Sequence, residues 1–165
     1  MSNTMVDQIL REIQGSFKGI KLDNGKSLLD AMIADSGYSP DEETAVRESQ
    51  GNDDRSINWI DLKCPERIRS FKGLHVFLDA DGFRFYLPAF MTWILRESLE
   101  NSIYVLDVIR PLQIVRHVET LSSQQLKCME SVLVYFKELA REEDVLDSWQ
   151  EAMNCIERNA SPGAG

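Results

Sequence analysis

The stretch from Leu74 to Arg96, LHVFLDADGFRFYLPAFMTWILR, constrains the fold more than any other part of the chain. Phe77, Phe83, Phe85, Tyr86, Phe90 and Trp93 fall inside it, and Pro88 interrupts an otherwise apolar run. Side chains of this size bury the largest areas per residue, so the core has to be built on them.

Two arrangements satisfy the pattern. In one, Leu74–Leu78 and Phe83–Leu87 pair as a short β-hairpin across Asp79-Ala80-Asp81-Gly82, with Gly82 at positive φ. Pro88 then opens a helix, where its ring is tolerated. In the other, Asp79 caps a helix that runs to about Ser98 and kinks at Pro88. On a helical wheel Arg84, Pro88, Thr92 and Arg96 align at four-residue spacing. That stripe favours the helix and puts Pro88 on its solvent side.

The flanking segments read as helices. Val6, Ile9, Leu10 and Ile13 have helical spacing over 4–14, before Gly15. Leu28, Leu29, Met32 and Ile33 mark a second helix at 26–35, with Gly37 just beyond it. Ser39-Pro40-Asp41-Glu42-Glu43 is a helix start: a cap, a Pro at the first position and acids at the positive end of the dipole. That helix has little to bury and belongs at the periphery. Gly51-Asn52-Asp53-Asp54 reads as a flexible loop, and Trp59-Ile60 as a single turn that anchors it. Pro65 opens a helix that Gly73 should end. Further short helices are expected at 101–110 and 112–120. Ser122 with Gln125 forms a capping box for a helix to Ala140, whose apolar side runs from Leu126 to Leu139. An amphipathic helix at 144–157 follows, and 159–165 reads as a disordered tail.

The expected fold is therefore mainly α, a single compact multi-helix domain over 1–158. A chain of 165 residues suits one domain and buries roughly 70% of its unfolded surface. Cys64, Cys128 and Cys155 are odd in number, far apart and outside any C-x-x-C pair. This argues against a disulfide framework or a zinc site and for a cytosolic setting. The N-terminus lacks the pattern of a signal peptide, and no apolar run is long enough for a membrane span. The net charge of −9 argues against nucleic acid as partner. It is uneven: Asp35, Asp41, Glu42, Glu43, Glu48, Asp53 and Asp54 face only Arg47, whereas 63–73 is basic through Lys63, Arg67, Arg69 and Lys72.

Chemistry-bearing residues are few. Asp79-Ala80-Asp81-Gly82 misses the calcium-loop pattern, because Gly comes at the fourth position and Phe90 stands at the twelfth. His75 and His117 lack partners at metal-ligand spacing. No metal and no cofactor are expected, and no nucleophile elbow or phosphate loop is present. Cys64, beside Lys63 at a helix start, is a weak nucleophile candidate. Arg84 is a lone charge among Phe83, Phe85 and Tyr86. It either stacks there and pairs with an acid such as Asp81, or reads an anionic ligand. The candidate binding residues are Arg84, Tyr86, Asp81 and His75 around the aromatic run, and Asp41, Glu42 and Glu43 on the acidic helix.

Phe77-Leu78 followed by Gly82-Phe83-Arg84-Phe85-Tyr86-Leu87-Pro88-Ala89-Phe90-Met91 resembles the central motif of a family of uncharacterised bacterial proteins, a domain of unknown function. Gly19-Ile20-Lys21-Leu22, Trp59-Ile60 and Leu121-Ser122-Ser123-Gln124-Gln125 are similar to its flanking motifs, although Trp59-Ile60 departs from a Trp-x-x-Ile spacing. The likeness touches most of 19–140. It implies a helical central stretch and brings no activity, cofactor or catalytic residue. The function expected is a small acidic cytosolic binding or interaction protein, immunity-like or an accessory regulator, with a basic protein as partner. The alternative is a small hydrolase or transferase with a pocket around Arg84, His75, Asp79 and Asp81. Oligomeric state is left open.

Overall fold

The computed structural model describes residues 4–50, 54–62, 65–100, 117–139 and 143–160. Seven α-helices form among them, and no strand. They are α1 (Thr4–Ser16), α2 (Leu28–Ser36), α3 (Pro40–Gln50), α4 (Pro65–Leu74), α5 (Ala80–Glu100), α6 (Ser123–Leu139) and α7 (Glu143–Ala160). Single 3-10 turns at Asp54–Ser56, Trp59–Asp61, His75–Phe77 and Val118–Thr120 join some of them.

The central stretch is a helix, and the hairpin at 74–87 does not form. Two contacts explain the choice. Asp79 Oδ1 accepts the backbone N–H of Gly82 at 2.9 Å, an N-cap bond, and that of Lys26 at 2.9 Å. Gly82 lies so close to the 22–27 loop that a Cβ there would stand 2.2 Å from the Lys26 carbonyl oxygen. Its glycine is therefore needed for close approach rather than for positive φ. From Phe85 to Met91 every residue is buried, as expected for a helix that is apolar all round and enclosed by others. α1 and α4 pack along it, the Trp59–Asp61 turn covers part of it, and α6 touches it.

This enclosure corrects the placement of Pro88. It is buried, not on a wet face, and of its four-residue stripe only Arg96 is fully exposed. The core centres on Phe83, Phe85, Tyr86, Phe90, Met91 and Ile94 of α5, with Phe71 of α4 in ring contact with Phe83 and Phe90. α1 supplies Val6, Ile9 and Ile13. α7 packs mainly on α6 rather than on the central helix, and Trp149 Nε1–H donates to the Leu133 carbonyl at 3.1 Å. The described helices thus make one compact domain around a single core.

Capping explains most helix starts. The Ser122–Gln125 box is formed reciprocally, at 3.0 and 3.2 Å. Ser27 and Asp30 make an equivalent box on α2, which ends at Gly37 with φ 63°. Gly73 does not stop α4, which continues to Leu74. Leu139 is 45% exposed and falls off the apolar side of α6. α7 extends through Ala160, so Asn159 and Ala160 are helical rather than part of a tail. The helix expected at 101–110, most of the one at 112–120, Cys64 and the tail from 161 lie outside the described residues.

Candidate functional site

The residues proposed around the aromatic run have separate tasks. Asp79 caps α5 and holds the 22–27 loop. Asp81, in the first turn, is exposed and accepts from Arg84 at 2.8 Å across three residues. This is a surface pair, of the kind that contributes well under about 1 kcal/mol. Arg84 thus has the acid partner that its position beside Asp81 suggested, while its buried Nε has no hydrogen-bond partner.

His75 is buried in the turn after α4. Its Nδ1 lies 3.1 Å from the Phe71 carbonyl, which can only accept, so Nδ1 carries the hydrogen. Nε2 is buried without a partner. Burial pushes the imidazole pKa below its ordinary 6.5, against the backbone hydrogen bonds of Phe71 and Lys72. His75 is therefore a neutral core histidine, with no acid among the described residues bonded to it to orient it as a base. Cys128 is equally unsuited to nucleophilic work. Burial first, then the charge of Glu12, pushes its thiol up to about 12.

Tyr86 reaches a residue that sequence reasoning assigned to a flexible loop. Its hydroxyl donates to Asp54 Oδ2, and the Arg67 guanidinium donates to the same oxygen, each at 2.5 Å. Asp54 is 2% exposed, so the end of that loop is an anchor. Burial, then the Asp54 carboxylate, pushes the phenol well above its ordinary 10. No local pattern marks this triad, since its members come from three separate segments.

A second polar cluster gathers around Asp30. It accepts from Ser27 N–H and Oγ, from Arg47 at 2.7 Å and from Arg55 at 3.2 Å. Burial opposes its charge, but the hydrogen bonds from Ser27 and Arg47 outweigh that and pull the carboxyl down to about 2. Arg47 also grips Glu43 one turn back on α3. Ser27-Leu28-Leu29-Asp30 was the available signal, a capping-box spacing.

The model of a family of unknown function, DUF6714, matches residues 5–158. The chain belongs to that family. The match extends beyond the 19–140 covered by the motif likeness, to take in α1 and nearly all of α7. Neither the curated proteins nor the solved structures provide a match.

In this DUF6714 chain the acidic helix α3 is the element least used by the fold. None of its residues is buried. Of its three leading acids, Glu42 accepts from Ser39 N–H and Oγ at 2.9 and 2.8 Å, and Glu43 holds Arg47. The Ser39 hydrogen bonds lower the Glu42 pKa. Asp41 is exposed and free of ion pairs among the described residues. Among the described residues no helix is long and apolar enough to cross a membrane.

Proposed function

We propose that this chain is a small acidic binding protein of the cytosol, immunity-like or an accessory regulator, that docks a basic protein through the outward face of α3. The observation that carries this reading is a helix of 11 residues with nothing buried. Isolated helices shorter than about 12–15 residues are marginal in water. α3 is held instead by local devices: the Ser39–Glu42 box, Pro40 at its first position, and the Arg47 bridge to Asp30. Asp41, Ala45 and Glu48 recur at helical spacing, and all three are exposed. The net charge of −9 adds long-range attraction for a basic partner. The free thiols Cys128 and Cys155 support the reducing compartment.

The hydrolase or transferase alternative draws no support from the placement of its residues, since Asp79 is a cap, His75 a buried neutral ring, and Asp81 and Arg84 a surface pair.

The test is a double charge reversal, Asp41→Lys with Glu48→Lys, which spares the two acids that hold the helix. Partners are captured by crosslinking in the native cell, identified by mass spectrometry, and titrated as pure proteins. The variant should lose affinity by at least about tenfold and become less sensitive to salt, with a melting temperature lowered only by the small helix-dipole contribution of Asp41. Equal affinity for the same partner, with equal salt dependence, rules out α3 as the docking face.

A further inference from the structure

A cleft of about 470 Å³ opens between the Trp59–Asp61 turn, the start of α4 and the middle of α5. No residue of α3 lines it. Its lining is mixed: Trp59, Ile68 and Trp93 form an apolar wall, and Ile60 beside them is 55% exposed. Thr92, Arg96 and Glu97 of α5 and Gln14 of α1 add polar groups. An apolar wall that faces a few polar side chains suits a small-molecule site, as does the volume.

Arg96 is the one cation among the described residues that line this cleft. Arg96 is exposed and makes no ion pair among the described residues. The Arg69 guanidinium lies 5.4 Å from the centre of the Trp93 ring, a cation–π contact that places a second cation beside the cleft. A guanidinium in the lining of such a cleft is suited to a carboxylate, which it can hold through two parallel N–H donors.

We propose that this cleft binds a small monoanion with a flat apolar body, of the aromatic carboxylate class. The ring system lies against Trp93 and the wall formed by Trp59 and Ile68. The carboxylate sits on Arg96. The size of the cleft suits a free small molecule rather than a length of polypeptide.

The probe is indole-3-acetate, followed by two-dimensional NMR on the full chain, with indole-3-acetamide as its uncharged isostere. The indole N–H signals of Trp59 and Trp93 should shift, and that of Trp149, which donates to the Leu133 carbonyl and does not line the cleft, should not. The acid should bind about tenfold more tightly than the amide, the size of one charge-assisted pair. Arg96→Gln should erase that difference, whereas Arg158→Gln, which removes the same charge from α7, should leave it intact. Absence of shifts at Trp59 and Trp93 at millimolar probe overturns the site. Equal affinity of acid and amide in the native chain overturns the role of Arg96, independently of any variant.

Discussion

Tyr86 donates its hydroxyl to Asp54, a carboxylate 2% exposed that lies 32 positions earlier in the chain. The bond ties the middle of the central helix to the end of the acidic segment. Arg67 completes it from α4 and leaves the buried charge paired. A buried ion pair of this kind adds little against an apolar replacement but is costly to break from one side.

Removing one member should therefore expose that asymmetry. Tyr86→Phe should cost about 1–3 kcal/mol, because the carboxylate loses a donor it cannot replace with water. Asp54→Ala should cost about 3 kcal/mol or more, since both Tyr86 and Arg67 lose their shared acceptor. The double variant should fall short of the sum of the two. Urea unfolding measures all three, and strict additivity would show that the residues do not act together.

Gly82 and Gly15 should respond oppositely to the same change. A Cβ on Gly82 meets the Lys26 carbonyl at 2.2 Å, and backbone has little room to yield. Gly82→Ala should lose about 2 kcal/mol or more and separate the start of α5 from the 22–27 loop. Gly15 lies within α1 and a Cβ there meets nothing within 4 Å. Gly15→Ala should gain up to about 1 kcal/mol from helix propensity. A thermal melt of each decides it, and an unaffected Gly82→Ala would refute the close approach.

The pH dependence of stability has two windows. Asp30 is lowered from 3.8 to about 2 on folding, so the unfolded chain takes up its proton first as pH falls. Its contribution is complete above pH 4 and is lost between about pH 4 and pH 2. Asp30→Asn should flatten that loss and lower the plateau above it. His75 is also lowered, from 6.5, so the unfolded state gains a proton that the folded state refuses. Stability should therefore begin to fall as pH drops below 6.5, and His75→Gln should remove that part of the slope. Chemical unfolding across the range checks both; a His75 NMR titration at 6.5 or above would contradict its burial.

Local devices were legible in the chain. Ser122 with Gln125, the Ser39 cap and the Pro at the start of α3 are local features, and each stands where the sequence placed it. The exposed, unburied character of α3 was equally readable, from the shortage of apolar residues between Pro40 and Gln50. Pro88 was misplaced because a wheel of one helix ranks faces by polarity alone. When α1, α4 and α6 pack around α5, Pro88 is covered although Arg96 on the same stripe stays exposed. Asp54 was missed for a related reason: Gly51 to Asp54 has the composition of a loop, and nothing nearby announces a partner.

The sequence alone determined that the aromatic stretch would form the core, where most helices start, and that the chain would be helical and acidic. These follow from side-chain size, periodicity and bonds between near neighbours. Tertiary structure decided that the aromatic stretch is a helix rather than a hairpin, that Pro88 and Asp54 are buried, and that Arg96 rather than Arg84 stands over a cleft. Each of those outcomes depends on residues distant in the chain. Lys26 fills the space against Gly82, Tyr86 and Arg67 supply the hydrogen bonds that let Asp54 be buried, and the Trp59 turn builds the wall beside Arg96.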